Sequence, residues 1–421
     1  MRLFKKIIQI ALSVLLLLII CYPAQLQPLK VGLLFLIFAL SFLAGIRIFL
    51  STFTFFSLAI IAIYNFSNLF KFSLAGYPFA QFLNLFMATP LIFVIVISIA
   101  MRLFSQKSIA KLILWAGIYI SIININAILI QSGWIPQNPM TALYTGRIGI
   151  HQGYVQIVDY GVYSLFFIFP FAFVMLSRRY LSLFFLIPAN LLIVAVLLLT
   201  GRRALWLASV MAILVYLIMG LVTVGRTSTS RALFVRNLAG GSLLTLLLSF
   251  MAFRNTQTIT KISNGLYARL TDAFIDKGSG GSVGIRASQE QVLLTQWLDA
   301  PIWGNGIAVP ARLLRSQEFT SAYEAFYHAL LYQLGLFGFI LYAVPTLVVL
   351  FGLIWTIFRR DGNAYYIACG MGLLSILIGS YSNPYLGTFD ALWMLFIPVM
   401  AFNQMNLDRR ANQLEAGAES G

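Results

Sequence analysis

The sequence predicts an all-α polytopic membrane protein of about twelve transmembrane helices, and its composition, its apolar run lengths and the placement of its basic residues carry that prediction. Of 421 residues, 60% are hydrophobic and 10% charged, with a mean hydropathy of +0.90. A soluble domain carries about a quarter charged residues. Apolar runs fall at 7–20, 31–46, 50–66, 82–101, 111–131, 159–176, 181–199, 204–224, 237–253, 334–357, 363–382 and 385–402. The second and third are short for a hydrocarbon core about 30 Å thick. The chain 1–421 reads as a single membrane domain.

Each segment supports this organisation in turn. Met1 to Lys6 is basic and precedes the first apolar run. Cys21-Tyr22-Pro23-Ala24-Gln25 is a poor small-residue cleavage site, so the run reads as an uncleaved first helix. With the N-terminus inside, alternate loops carry Arg47; Arg102, Lys107 and Lys111; Arg178 and Arg179; Arg226, Arg231 and Arg236; Arg359 and Arg360; and Arg409 and Arg410. This positive-inside pattern places both termini in the cytoplasm. Much of the formal charge of +16 is therefore topology, and no nucleic-acid partner is expected. Residues 411–421 are small and polar and read as a disordered tail.

Two larger segments lie on the opposite side, about 132–158 and 254–333, and the second is the long polar interruption of the chain. Cys21 and Cys369 sit in or beside distant apolar runs, which suits neither a disulfide framework nor a thiolate metal site. The chain has no Asp-x-Asp pair and no Walker motif, so neither a metal nor a cofactor is expected.

The informative arginines are those on the outer side, where topology does not require them. They are Arg147, Arg202 and Arg203, Arg254, Arg269, Arg286, Arg312 and Arg315. Arg202 and Arg203 occupy a short connector between two apolar runs, which holds them near the membrane surface. Guanidinium groups stay ionised and present a planar fork to phosphate oxygens, so such a cluster suits a lipid-linked diphosphate. At mid-bilayer one arginine would cost roughly 3 kcal/mol or more, whereas the interface asks far less.

Glu324 and His328 lie four apart at the start of a predicted helix, which would put both on one face. Glu324 is the candidate general base, with His328 tuning it, binding the acceptor or exchanging roles with it. Burial would raise the carboxyl pKa and a neighbouring arginine would lower it. Gly304-Asn305-Gly306 reads as a tight turn that brings Arg286 and Glu324 together. Gly335 and Gly338 read as points of close helix–helix approach.

Three patches resemble the O-antigen ligase/polymerase superfamily of bacterial membrane glycosyltransferases. Leu199-Thr200-Gly201-Arg202-Arg203-Ala204-Leu205 is similar to the family's Thr-Gly-Ser-Arg-Gly-Ala helix opening. Arg286 to Gly306, with Trp297, Pro301, Gly304 and Gly306, looks like the stretch before its catalytic segment. Glu324 to Gly338 is similar to its His-Asn-x-x-Leu and Gly-Leu-x-Gly segment, with Glu324 at the histidine position and Ala325 at the asparagine. That departure points to a polymerase in place of a ligase.

The resemblance implies a plasma-membrane enzyme joining undecaprenyl-diphosphate-linked oligosaccharides, both donor and acceptor, on the outer, periplasmic face. A chain-length regulator and a flippase are the implied partners. Arg202, Arg203, Arg286 and Arg147 would bind the diphosphate, and Glu324, Arg286 and His328 would form the catalytic set. The alternatives are a ligase moving finished glycan to a lipid A-core or protein acceptor, and a multi-span transporter or flippase.

Overall fold

The computed structural model describes residues 2–23, 25–74, 98–100, 102–131, 133–140, 147–151, 154–158, 160–200, 203–224, 282–306, 309–313, 323–359, 362–381, 386 and 389–419. The expected runs at 237–253 and most of 82–101 lie outside these residues. Eleven described helices dominate: α1 (Arg2–Cys21), α2 (Gln27–Leu43), α3 (Thr52–Leu74), α4 (Gln106–Gln131), α5 (Leu165–Ser177), α6 (Leu183–Thr200), α7 (Arg203–Val224), α8 (Ser282–Trp297), α9 (Phe326–Ile354), α10 (Ala364–Ser380) and α11 (Trp393–Glu419). One antiparallel hairpin, β1 (Arg147–His151) with β2 (Tyr154–Val158), pairs Arg147 with Val158 and His151 with Tyr154.

Among the described residues, four helical stretches are long and apolar enough to cross a membrane: Leu3–Cys21, Gln106–Gln131, Ala204–Val222 and Phe326–Phe358. Five more are apolar but shorter: Gln27–Leu43, Thr52–Tyr64, Gly161–Ser177, Leu183–Leu197 and Ala364–Ser380. Helix α5, with 13 residues, is about 20 Å long against a core of about 30 Å. The 3-10 turn Tyr160–Ser164 continues it at its N-terminal end. Length and apolarity thus separate four helices of spanning size from the expected set of about twelve. The expected disordered tail is also corrected. Helix α11 runs through 411–419, where Ala411, Leu414, Glu415, Ala416 and Ala418 are good helix formers extending an existing helix.

Sequence spacing explains the packing. In α1, Ile8, Leu12, Leu15, Leu16 and Ile19 recur every three or four residues and are buried. Leu3, Ile10 and Val14 on the other face stay exposed, as expected of a helix facing lipid. Helices α5 and α10 form the centre, with Phe166, Phe167, Ile168 and Phe171 of α5 fully buried. A Cβ at Gly372 of α10 would fall 2.7 Å from the Phe167 ring, so this position lets the two helices close up. Trp393 meets Phe167 at 5.0 Å between ring centroids, docking α11 on the same centre.

Polar contacts mark the two ends of the bundle. At one end Gln106 donates to the Tyr366 hydroxyl (3.0 Å) and accepts from Asn363 (2.8 Å) and Tyr180 (3.4 Å). Tyr366 in turn donates to Asp408 at 3.2 Å. These bonds gather the start of α4, the segment after α5, the start of α10 and the middle of α11. Lys107, Lys111, Arg178, Arg179 and Arg409 flank them in sequence.

The other end holds a buried ion pair that sequence reading missed. Lys30 Nζ lies 2.8 Å from Asp390 Oδ1, with side chains 0% and 3% exposed. Lys30 also donates to the Tyr22 carbonyl (2.7 Å), and Gln27 donates to Asp390 Oδ2 (2.6 Å). The pair fastens the turn between α1 and α2 to the entry of α11. Removing one member leaves a buried charge, so Lys30→Met should cost about 3–5 kcal/mol. The Lys30→Met/Asp390→Leu double variant should recover much of this. Thermal unfolding of the detergent-purified variants checks it; equal losses in single and double variants would refute the pair's role.

Candidate functional site

The site begins with one face of α8. Arg286, Gln289 and Leu293 follow helical spacing, and Gln289 and Leu293 are each 1% exposed. Leu293 joins Ala311, Tyr323, Ala325, Ala329 and Tyr332 in a small core separate from the main one. Arg286 Nε donates to Glu324 Oε2 at 2.6 Å, with side chains 31% and 13% exposed. Three residues further along α8, Gln289 Oε1 accepts the Glu324 backbone N–H at 3.0 Å. Two residues of one helix face therefore hold both the carboxylate and the main chain of Glu324. The expected approach of Arg286 to Glu324 is present.

The expected helical pairing of Glu324 with His328 is not. Helix α9 begins at Phe326, and Ala325 at its N-cap has φ −78° and ψ 75°. Glu324 thus precedes the helix while His328 lies within it. No hydrogen bond or ion pair joins the two among the described residues. Arg202 lies outside the described residues. Arg203 opens α7 and Arg147 opens β1, with both side chains outside the description.

A backbone splice fixes the site's position. Helix α9 is broken at Gly335, where φ is 67° and ψ −179°. The break interrupts the helical hydrogen-bond ladder, and the loop after α8 supplies partners. Leu336 N–H donates to the Pro301 carbonyl (2.9 Å) and Phe337 N–H to Ile302 (3.1 Å). In return Asn305 N–H donates to the Tyr332 carbonyl (2.9 Å) and Gly306 N–H to Gln333 (3.0 Å). Tyr64 of α3 donates to the Leu334 carbonyl.

Gly304 and Gly335 lie face to face. A Cβ on Gly304 would sit 2.3 Å from Gln333 O and Gly335 N; one on Gly335 would sit 2.3 Å from Gly304 N and Ile302 O. Both have positive φ, a region that glycine enters freely. The reading of Gly335 as a helix–helix contact is therefore corrected: it is a contact between a helix break and a loop. Asn305 Nδ2 closes the arrangement by donating to Gln296 O (3.0 Å).

The fold also holds an apolar groove of about 490 Å3. It is lined by Leu374 and Leu377 of α10, by Tyr381 just after that helix, by Leu207 of α7 and by Leu347 of α9. Tyr327, three residues after Glu324, lines it and donates to the Leu377 carbonyl at 2.5 Å. Ala204, next to Arg203, lines it too. Sequence reading assigned no role to Gln289 or Tyr327. The i, i+3 spacing of Gln289 from Arg286 was the available signal for the first, and nothing in sequence pointed to the second. Among the described residues no group of three His, Cys, Asp or Glu converges.

Fold and site define an α-helical protein with helices able to cross a membrane. Its guanidinium–carboxylate pair lies at the end of the bundle away from the basic flanks. No family model matches the chain, and no curated protein matches it.

Gly304→Ala and Gly335→Ala should each destabilise the region by more than the roughly 1–3 kcal/mol of backbone strain alone, because each adds a clash. Gly220→Ala, with nothing within 4 Å of the added Cβ, is the matched control. Limited proteolysis between α8 and α9 reads the difference, and protection equal to the control in both variants would refute the splice.

Proposed function

We propose that this chain is a bacterial plasma-membrane glycosyltransferase of the O-antigen polymerase kind. It would join undecaprenyl-diphosphate-linked oligosaccharide units at the outer face, with about twelve spans and both termini cytoplasmic. The observation that carries the reading is the Arg286–Glu324 ion pair, with Tyr327, three residues after Glu324, lining an apolar groove. A lipid-linked diphosphate has a hydrocarbon part suited to the groove and an anionic part suited to guanidinium groups.

In the proposed reaction the acceptor sugar hydroxyl attacks the anomeric carbon of the donor. Its proton passes to the Glu324 carboxylate as the new C–O bond forms. The bond from the anomeric carbon to the diphosphate oxygen breaks, and its electron pair leaves with the lipid diphosphate. Arg286, with Arg202, Arg203 and Arg147, stabilises the charge that develops there. His328, apart from Glu324 in the resting arrangement, is assigned to the acceptor.

The 2.6 Å contact adds a condition. Arg286 is engaged by Glu324, so the diphosphate would compete with the carboxylate for the same guanidinium. Substrate binding would release Glu324 to act as base.

Arg286→Ala should abolish polymer while the protein still inserts; wild-type polymer from that variant would refute the role. Glu324→Gln should also abolish transfer yet bind lipid diphosphate at least as tightly as wild type, read by retention of radiolabelled undecaprenyl diphosphate. The surface-glycan profile of a deletion strain tests the class. Single repeat units on the acceptor with the ladder lost support a polymerase. Long chains trapped on the carrier would indicate the ligase, and an unchanged profile would favour a transporter.

A further inference from the structure

We propose that residues 298–306, which follow α8, are seated in the interfacial layer of the bilayer, with Ile302 and Trp303 as the lipid-facing anchors. Three observations carry this. Ile302 and Trp303 are 57% and 56% exposed, unusual for large apolar side chains in a connector, and Leu298 just before them is 66% exposed. The patch continues without a gap into a helix of spanning length. Trp303 meets Phe337 at 5.1 Å between ring centroids, and Phe337 meets Tyr64 at 5.6 Å. Leu336, Phe337 and Ile340 are themselves exposed on the Phe326–Phe358 stretch.

The backbone is also suited to lipid. Irregular main chain is tolerated at membrane depth only where its polar groups find partners. The helix break at Gly335 and the loop 301–306 satisfy each other through four backbone bonds. Tyr64 donates to the Leu334 carbonyl as well, and Trp297 Nε1 donates to the Pro301 carbonyl at 2.8 Å. A tryptophan at such a boundary has an apolar ring and a polar edge, the pairing favoured at headgroup depth. The seat would set the depth of α8, and with it that of the Arg286–Glu324 pair, relative to the membrane. It does not depend on the glycosyl-transfer reading.

Ile302→Cys in the full chain, reconstituted in liposomes and labelled with an environment-sensitive fluorophore, tests the seat. Cys21 and Cys369 are buried, so unsubstituted protein gives the labelling background. Gln291→Cys, on the exposed side of α8, is the water-facing control. The Ile302→Cys label should show blue-shifted emission, be quenched by lipid bearing a nitroxide high on the acyl chain more than by one bearing it deep, and resist iodide. The Gln291→Cys label should show the reverse preference. Iodide quenching at position 302 without lipid quenching would overturn the proposal, and so would protection from both quenchers, which would mean that protein covers the patch. Melting temperatures equal to wild type exclude misfolding as the cause of either result.

Discussion

The region around the site depends on the mutual satisfaction of two broken pieces of backbone. A helix interrupted within an apolar stretch leaves carbonyls and amides that water cannot reach, and each costs free energy until it is paired. In this protein the break at Gly335 and the loop 301–306 supply one another's missing partners. The exchange requires main chain to lie against main chain, which is why Gly304 and Gly335 face each other without side chains. Because the loop is the direct continuation of α8, the same bonds fix that helix against the start of α9. Arg286 and Gln289 then fall where they can grip Glu324.

Elsewhere polar groups are handled by pairing. Lys30 and Asp390 are withdrawn from solvent, but each has hydrogen bonds beyond the ion pair itself. The arrangement ties the N-terminal helical hairpin to the last helix across 360 residues of chain. Gln106, Tyr180, Asn363, Tyr366 and Asp408 do the same at the opposite end with neutral groups around one carboxylate. Between these two polar layers the centre is aromatic and aliphatic, dominated by the contact of α5 with α10. The bundle is thus stitched at its ends and packed in its middle, and the candidate site belongs to the end away from the basic flanks.

Much of the helical layout was legible because apolar runs and their basic flanks are local properties. The runs at 111–131, 204–224 and 363–382 coincide closely with α4, α7 and α10. The proximity of Arg286 to Glu324 was also legible, through the glycine-flanked turn between them. The pairing of Glu324 with His328 was not, because helical spacing applies only where the helix exists, and α9 starts two residues after Glu324. The tail was misread for a related reason: small polar residues look unstructured in isolation but extend a helix already nucleated upstream. Lys30 escaped notice because its partner lies at the far end of the sequence.

The sequence by itself determined the class of chain: apolar helices, basic residues in alternate connectors, and a polar interruption that holds Arg286 and Glu324. Hydropathy and charge order are written residue by residue, so they need no knowledge of the partners. Only the tertiary structure decided that Gly335 breaks a helix to receive a loop, that Gln289 holds the Glu324 main chain, and that Lys30 meets Asp390. Each of these pairs groups distant in sequence, and the free energy that fixes them comes from removing both partners from water together.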